Sequence, residues 1–114
     1  MCSWCWGFTP ALEMIAERFA DAVELGYIMG GLARDSDEAM PAEMQRYVRG
    51  AWQEVAARTG AQFNWEFWEK CQPRRSTYPS CRAVLAAAAQ NTEAGPLMFH
   101  RIQRAYYTEA RNPS

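Results

Sequence analysis

Seven residues of this chain, Val23-Glu24-Leu25-Gly26-Tyr27-Ile28-Met29, carry the short alternating pattern of a strand, and Gly30-Gly31 stops it. No other stretch does so convincingly. A lone strand leaves both edges unpaired and is not stable in water by itself, so the remaining order must come from helices. The sequence supplies them in a row. Phe8, Leu12, Ile15 and Phe19 recur at helical spacing with Glu13, Glu17 and Arg18 opposite, which predicts a helix from Trp6 to Ala20 that Pro10 bends near its start. Met44, Tyr47, Val48, Ala51, Trp52, Val55 and Ala56 form the clearest stripe, opened by Pro41 and closed by Gly60. Asn64 to Lys70 reads as a short aromatic helix. Cys81, Val84, Leu85 and Ala88 line another that follows Pro79 and runs to Gln90. Pro96 opens a last helix with Leu97, Ile102, Ala105 and Tyr106 inward. The expected product is mostly α, with one strand and about five helical segments.

Ahead of the first helix stand Cys2-Ser3-Trp4-Cys5-Trp6-Gly7-Phe8. Thiols three apart face each other across one helical turn and can close a small disulfide ring with little backbone movement. Cys2 would then lie beside the unpaired N–H groups at the positive end of the helix, which favours thiolate over thiol. Cys2 is therefore the expected nucleophile, nearer the surface, and Cys5 the thiol that resolves a mixed disulfide. Ser3 can offer a hydroxyl to the thiolate. Ser3-Trp4 brings no positive charge, so the pair should be less strongly oxidising than one with a cation in the motif. Trp4, Trp6 and Phe8 can build an apolar rim for substrate chains, with Trp4 the most exposed of them.

Composition narrows the rest. At 114 residues, 49% hydrophobic and 22% charged, there is material for one compact globular unit. Eleven arginines are dispersed among thirteen acids for a net charge of −1, so no broad field attracts nucleic acid or an anionic membrane. No apolar run approaches a membrane span and no secretion signal opens the chain, which leads to a cytoplasmic expectation. Cys71 and Cys81 are singles. A structural zinc site would need them or His100 to join the Cys2/Cys5 pair, and they are not spaced as a second knuckle. Cys81 on an apolar stripe reads as a small core residue, Cys71 beside Lys70 as an exposed bystander, and His100 as a helix-surface imidazole without chemistry. Trp65, Phe67 and Trp68 read as helical core.

A Cys-x-x-Cys helix, a strand and then a run of helices resembles the front part of a DsbA-family thioredoxin-fold thiol oxidoreductase, closest to the FrnE-like branch. The residues that carry the likeness are Cys2-Ser3-Trp4-Cys5-Trp6-Gly7-Phe8 with Pro10, Met29-Gly30-Gly31-Leu32, Pro79-Ser80-Cys81-Arg82-Ala83-Val84 and Gln103-Arg104-Ala105-Tyr106-Tyr107. The resemblance implies an α/β thioredoxin-like fold with an inserted helical domain. Residues 1–33 would be a partial thioredoxin-like element and 34–114 the helical insert. It implies thiol–disulfide exchange with protein or small-molecule thiols and disulfides, through catalytic Cys2 and Cys5, with no organic cofactor and no metal. It also implies that a strand before the cysteines, and a cis-proline loop, two strands and a helix after the insert, belong to a protein about twice as long. A glutathione-dependent isomerase of the same superfamily would carry a serine for the first cysteine. The alternative in another class is a non-catalytic helical module that forms a homodimer through its open strand edge or uncovered helix face.

Overall fold

A computed structural model describes all 114 residues. Five helices follow in order: α1 Ser3–Arg18, α2 Ala42–Thr59, α3 Phe67–Lys70, α4 Tyr78–Gln90 and α5 Ala94–Tyr107. The number and order of helical segments match the sequence pattern. The strand does not form. Val23–Met29 is extended but pairs with nothing, and no backbone group from Glu24 to Leu32 makes a backbone hydrogen bond. Strand propensity without a partner edge yields only extended chain. The single ladder-like contact is an isolated antiparallel bridge between Ala39 and Arg74.

Helix α1 begins three residues earlier than the apolar spacing suggests, because Cys2 takes an extended conformation (φ −104°, ψ 120°) and serves as N-cap residue. The helix continues through Pro10. It crosses α2 at Gly7, where an added Cβ would stand 2.8 Å from Val55 Cγ1 and 2.9 Å from Thr59 Oγ1. Only a residue without a side chain permits that approach. Helix α2 ends as its sequence predicts, with Gly60 left-handed at φ 73° and its N–H donating to Ala56 O.

Helices α4 and α5 form a tight antiparallel hairpin. Asn91 Oδ1 accepts from Glu93 N at 3.0 Å in the connecting turn, and Gly95 lies so close to Ala88 that an added Cβ would be 2.9 Å from the alanine's own. That contact sets the rotation of α5. Its buried face is Gly95, Gln103, Tyr106 and Tyr107, and Leu97, expected inward, is 64% exposed.

The core is aromatic. Trp52 has no exposed surface, and its ring meets Phe63, Trp65, Phe67, Trp68, Tyr106 and Tyr107 at centroid distances of 4.9 to 5.9 Å. Tilted and edge-on pairs of this kind add about 0.5–1.5 kcal/mol each beyond the area they bury. The last residues are tied down by polar contacts. Ser80 Oγ donates to Pro113 O at 3.2 Å, Asn112 Nδ2 to Gln72 O at 3.2 Å, and Arg74 N to Ser114 Oγ at 3.0 Å. Cys71 is held in the same way, its thiol donating to Ala110 O at 3.2 Å, so it is half-buried and not a free surface thiol.

Candidate functional site

The cysteines sit where α2 and α5 meet the first turn of α1. Cys2 and Trp6 are one turn apart on the same face, with Trp6 N donating to Cys2 O at 3.3 Å. Trp6, placed by its sequence in a docking rim, is turned inward: its ring stacks on Tyr107 at 5.7 Å and its indole N–H donates to Gln62 O at 3.0 Å. It anchors the cysteine turn to the aromatic core. Ser3 is buried beneath the turn as well.

Accessibility of the thiols runs opposite to expectation, since Cys2 is half-buried and Cys5 is exposed. The reason is the face each occupies. Cys2 shares the Trp6 face that packs on the core, while Cys5 is on the outward side. All four cysteines are free thiols. The Cys5 thiol is pushed up to about 11, first by the protein bulk around its sulfur and then by its hydrogen bond to Cys2 and the charge Cys2 would carry. Cys5 is exposed as a residue, so solvent screens part of that effect. The two free thiols stand three residues apart at the start of α1.

Trp4 is 43% exposed and flanks the pair on the outer side. The Arg58 guanidinium, from the last turn of α2, lies 5.9 Å from the centre of the Trp4 ring and also pairs with Glu54 at 2.9 Å. A cation therefore does stand next to the Ser3-Trp4 dipeptide, supplied from another helix. Nothing in the local motif signalled it. It depends on the α1–α2 crossing at Gly7.

Beside Cys5 runs an apolar groove of about 660 Å³, walled by Trp4, Phe8, Leu12, Tyr27 and Phe99. Phe8 is 51% exposed and faces this groove. The far wall is the extended Leu25–Ile28 segment, and Tyr27 holds it in place. Its hydroxyl is 3.2 Å from His100 Nε2 and its ring meets Phe99 edge-on at 5.5 Å. His100, expected at a helix surface without a role, is half-buried in this contact. Partial burial and then the Glu13 charge keep the Tyr27 phenol protonated to higher pH than usual. Tyr27 and Phe99 were the wall residues that spacing could not reveal, because they come from segments 72 positions apart.

No three His, Cys, Asp or Glu side chains converge in a way that could hold a metal ion. Cys71 and His100 are each engaged elsewhere, with Ala110 and Tyr27. No helix is long and apolar enough to cross a membrane.

No protein-family model matches the chain, and no curated protein matches its sequence. Among solved structures, one described as "a putative protein disulfide isomerase from Nitrosomonas europaea" superposes with a TM-score of 0.82 at 28% identity. The match covers 99% of this chain and 53% of that one, so the chain spans about half the length of its structural neighbour. The mostly helical, sheet-free arrangement is thus compatible with a helical portion of a DsbA-like thioredoxin-fold protein.

Proposed function

We propose that the chain carries the redox pair of a thiol–disulfide oxidoreductase, with Cys2 as nucleophile and Cys5 as resolving thiol. The observation that carries this reading is the pair of free thiols, three residues apart at the start of α1, in a helical frame shared with a structure described as a disulfide isomerase. The DsbA family, and its FrnE-like branch, is the assignment the motifs favour.

The chemistry follows from the two sulfurs. The Cys2 thiolate attacks one sulfur of a substrate disulfide; an S–S bond forms to Cys2, and the other substrate sulfur leaves as thiolate and takes a proton. Cys5 then gives up its proton and attacks Cys2, releasing the second substrate thiol and leaving the Cys2–Cys5 disulfide. Two electrons and two protons pass from the pair to the substrate. The reverse sequence oxidises a dithiol. Part of what holds the Cys5 proton is the contact with Cys2 and its charge. Both change once Cys2 is bonded to substrate, so Cys5 becomes a better nucleophile at the step that needs it. The Trp4/Phe8 groove beside Cys5 would receive apolar segments of a protein substrate. A reducing cytoplasmic setting would favour reductase or isomerase work.

The test is reduction of a protein disulfide by dithiothreitol. The chain should accelerate it; Cys2→Ser should abolish the acceleration and Cys5→Ser should trap a mixed disulfide on Cys2. An inert chain whose variants behave alike would reject the reading. The row of exposed Phe8, Phe19, Leu25 and Ile28 favours a second reading, a homodimeric interaction module. That module would elute as a dimer, insensitive to either cysteine change.

A further inference from the structure

The groove beside Cys5 has no charged side chain in its walls, so an approaching substrate feels the charges at its rim. At the Trp4 end that charge is a cation. The Arg58 guanidinium stands 5.9 Å from the centre of the Trp4 ring, and Trp4 shares the groove wall with Cys5 and with Thr59, the next residue along α2. The close crossing at Gly7 fixes this placement, since it holds Val55 and Thr59 against the first turns of α1. Arg58 is not neutralised by its ion pair. Glu54 lies 2.9 Å away on the same helix, the two side chains are 69% and 52% exposed, and pairs of that kind are worth little in water. A cation in the last turn also suits the carbonyl end of α2. That role leaves the direction of the side chain open, and here it reaches across the crossing to Trp4.

We propose that Arg58 is a specificity-determining residue: it favours disulfides that carry a negative charge close to the reacting sulfur, with their apolar remainder lying in the groove. The inference rests on the oxidoreductase reading for its purpose but not for its measurement. The attraction acts on the incoming molecule and not on the thiol. Burial and Cys2 are what raise the Cys5 thiol, and Arg58 is not among the groups acting on it. A rim charge of this kind speeds encounter with an oppositely charged partner, and salt screens it over about 10 Å at 0.1 M. Arg58 therefore selects by charge, while the groove selects by apolar surface.

The experiment compares alkylation by iodoacetate, an anion, with alkylation by iodoacetamide, its neutral counterpart, at one pH and low salt. In both the thiolate displaces iodide and a C–S bond replaces C–I, so the ionised fraction of the thiol cancels in the ratio of the two rates. Peptide mapping scores Cys5 apart from Cys71, which serves as the internal reference. Arg58→Gln should lower the iodoacetate-to-iodoacetamide ratio at Cys5 about threefold and leave it unchanged at Cys71. Arg58→Lys should keep the parent ratio, and Glu54→Gln should raise it. An unmoved Cys5 ratio in Arg58→Gln overturns the proposal. So does an equal fall at Cys71, which would mark overall charge, or an equal fall in Arg58→Lys, which would mark the guanidinium plane and not its charge. A second measurement needs no substitution: adding salt to about 1 M should lower the ratio at Cys5 more than at Cys71, and equal responses overturn the proposal. With substrates, Arg58→Gln should lower kcat/KM for a disulfide peptide bearing aspartate beside its cystine and not for the asparagine version. A shifted ratio in a chain that reduces no disulfide would sink the oxidoreductase reading alone. Disulfide reduction with an unshifted ratio would sink this one alone.

Discussion

Around Trp52 six aromatic rings lie within 5.9 Å, while along α1 and the segment after it Phe8, Phe19, Leu25 and Ile28 are 41% to 94% exposed. Both regions are built from large apolar side chains. They differ in what returns to cover them. Trp52 stands where α2, α3, α5 and the Phe63–Trp65 turn converge, so every face of its indole finds a ring. The outer face of α1 meets only an extended segment that makes no backbone hydrogen bonds of its own. Burial here follows from convergence of elements, not from the hydrophobicity of a stripe. The cysteines lie on the boundary, Cys2 toward the packed side and Cys5 toward the open groove.

That comparison can be broken at several points. The largest effect should come from Trp52→Ala, which removes the ring all the others touch and should cost about 3–5 kcal/mol in denaturant unfolding. A loss under 1 kcal/mol would mean the cluster does not hold the fold together. Gly7→Ala should cost about 1–3 kcal/mol, since the new methyl meets Val55 and Thr59. It should also detach the cysteine turn, seen as a change in Trp6 fluorescence. At the open region, Ile28→Ser should stay within about 0.5 kcal/mol of the parent chain. A cost equal to that of Trp52→Ala would show that the arm is packed in solution, for instance against a second copy.

A pH prediction sharpens the boundary itself. The folded Cys5 thiol titrates at about 11 against an ordinary value of 9.0. Below pH 9.0 both folded and unfolded chains keep the proton and Cys5 has no effect on stability. Between 9.0 and 11 the unfolded chain releases it while the folded chain retains it, so stability falls as pH rises through that window. Melting temperature should decline there, and Cys5→Ser should remove part of the decline. Cys5 alkylation should keep accelerating up to about pH 11; a plateau soon above 9.0 would show the Cys5 thiol to be unperturbed, and one by neutral pH would show it lowered. The smallest effect is expected from His100→Ala, which frees Tyr27 from one hydrogen bond at the groove wall. Global stability should change little, and amide exchange in the Leu25–Ile28 segment should quicken.

Legibility followed the range of the interactions. The ends of helix α2 could be read almost to the residue, because Pro41 and Gly60 act within a turn or two of themselves, whereas Tyr47 of its stripe stands 74% exposed. The cysteine pair was readable for the same reason. The strand at Val23–Met29 was misjudged because pairing is a property of two segments and only one is present. The α5 face was misjudged because Leu97 and Ile102 suggest one rotation and the Gly95–Ala88 contact imposes another, turning Gln103 inward and Leu97 out. The places of Arg58 and Tyr27 beside the cysteine turn and its groove left no local trace. Each matters through a neighbour on another element.

By itself the amino-acid order determined that the chain is largely helical, that two thiols stand one turn apart at a helix start, and that no broad charge draws it to nucleic acid. Those are consequences of spacing and composition, which need no knowledge of what packs where. The fold alone decided which thiol faces solvent, which tryptophan is an anchor and which a rim, and which distant side chains line the groove beside Cys5. Such outcomes depend on helix crossings set by a few close contacts, and a crossing exists only once two separate stretches of chain have met.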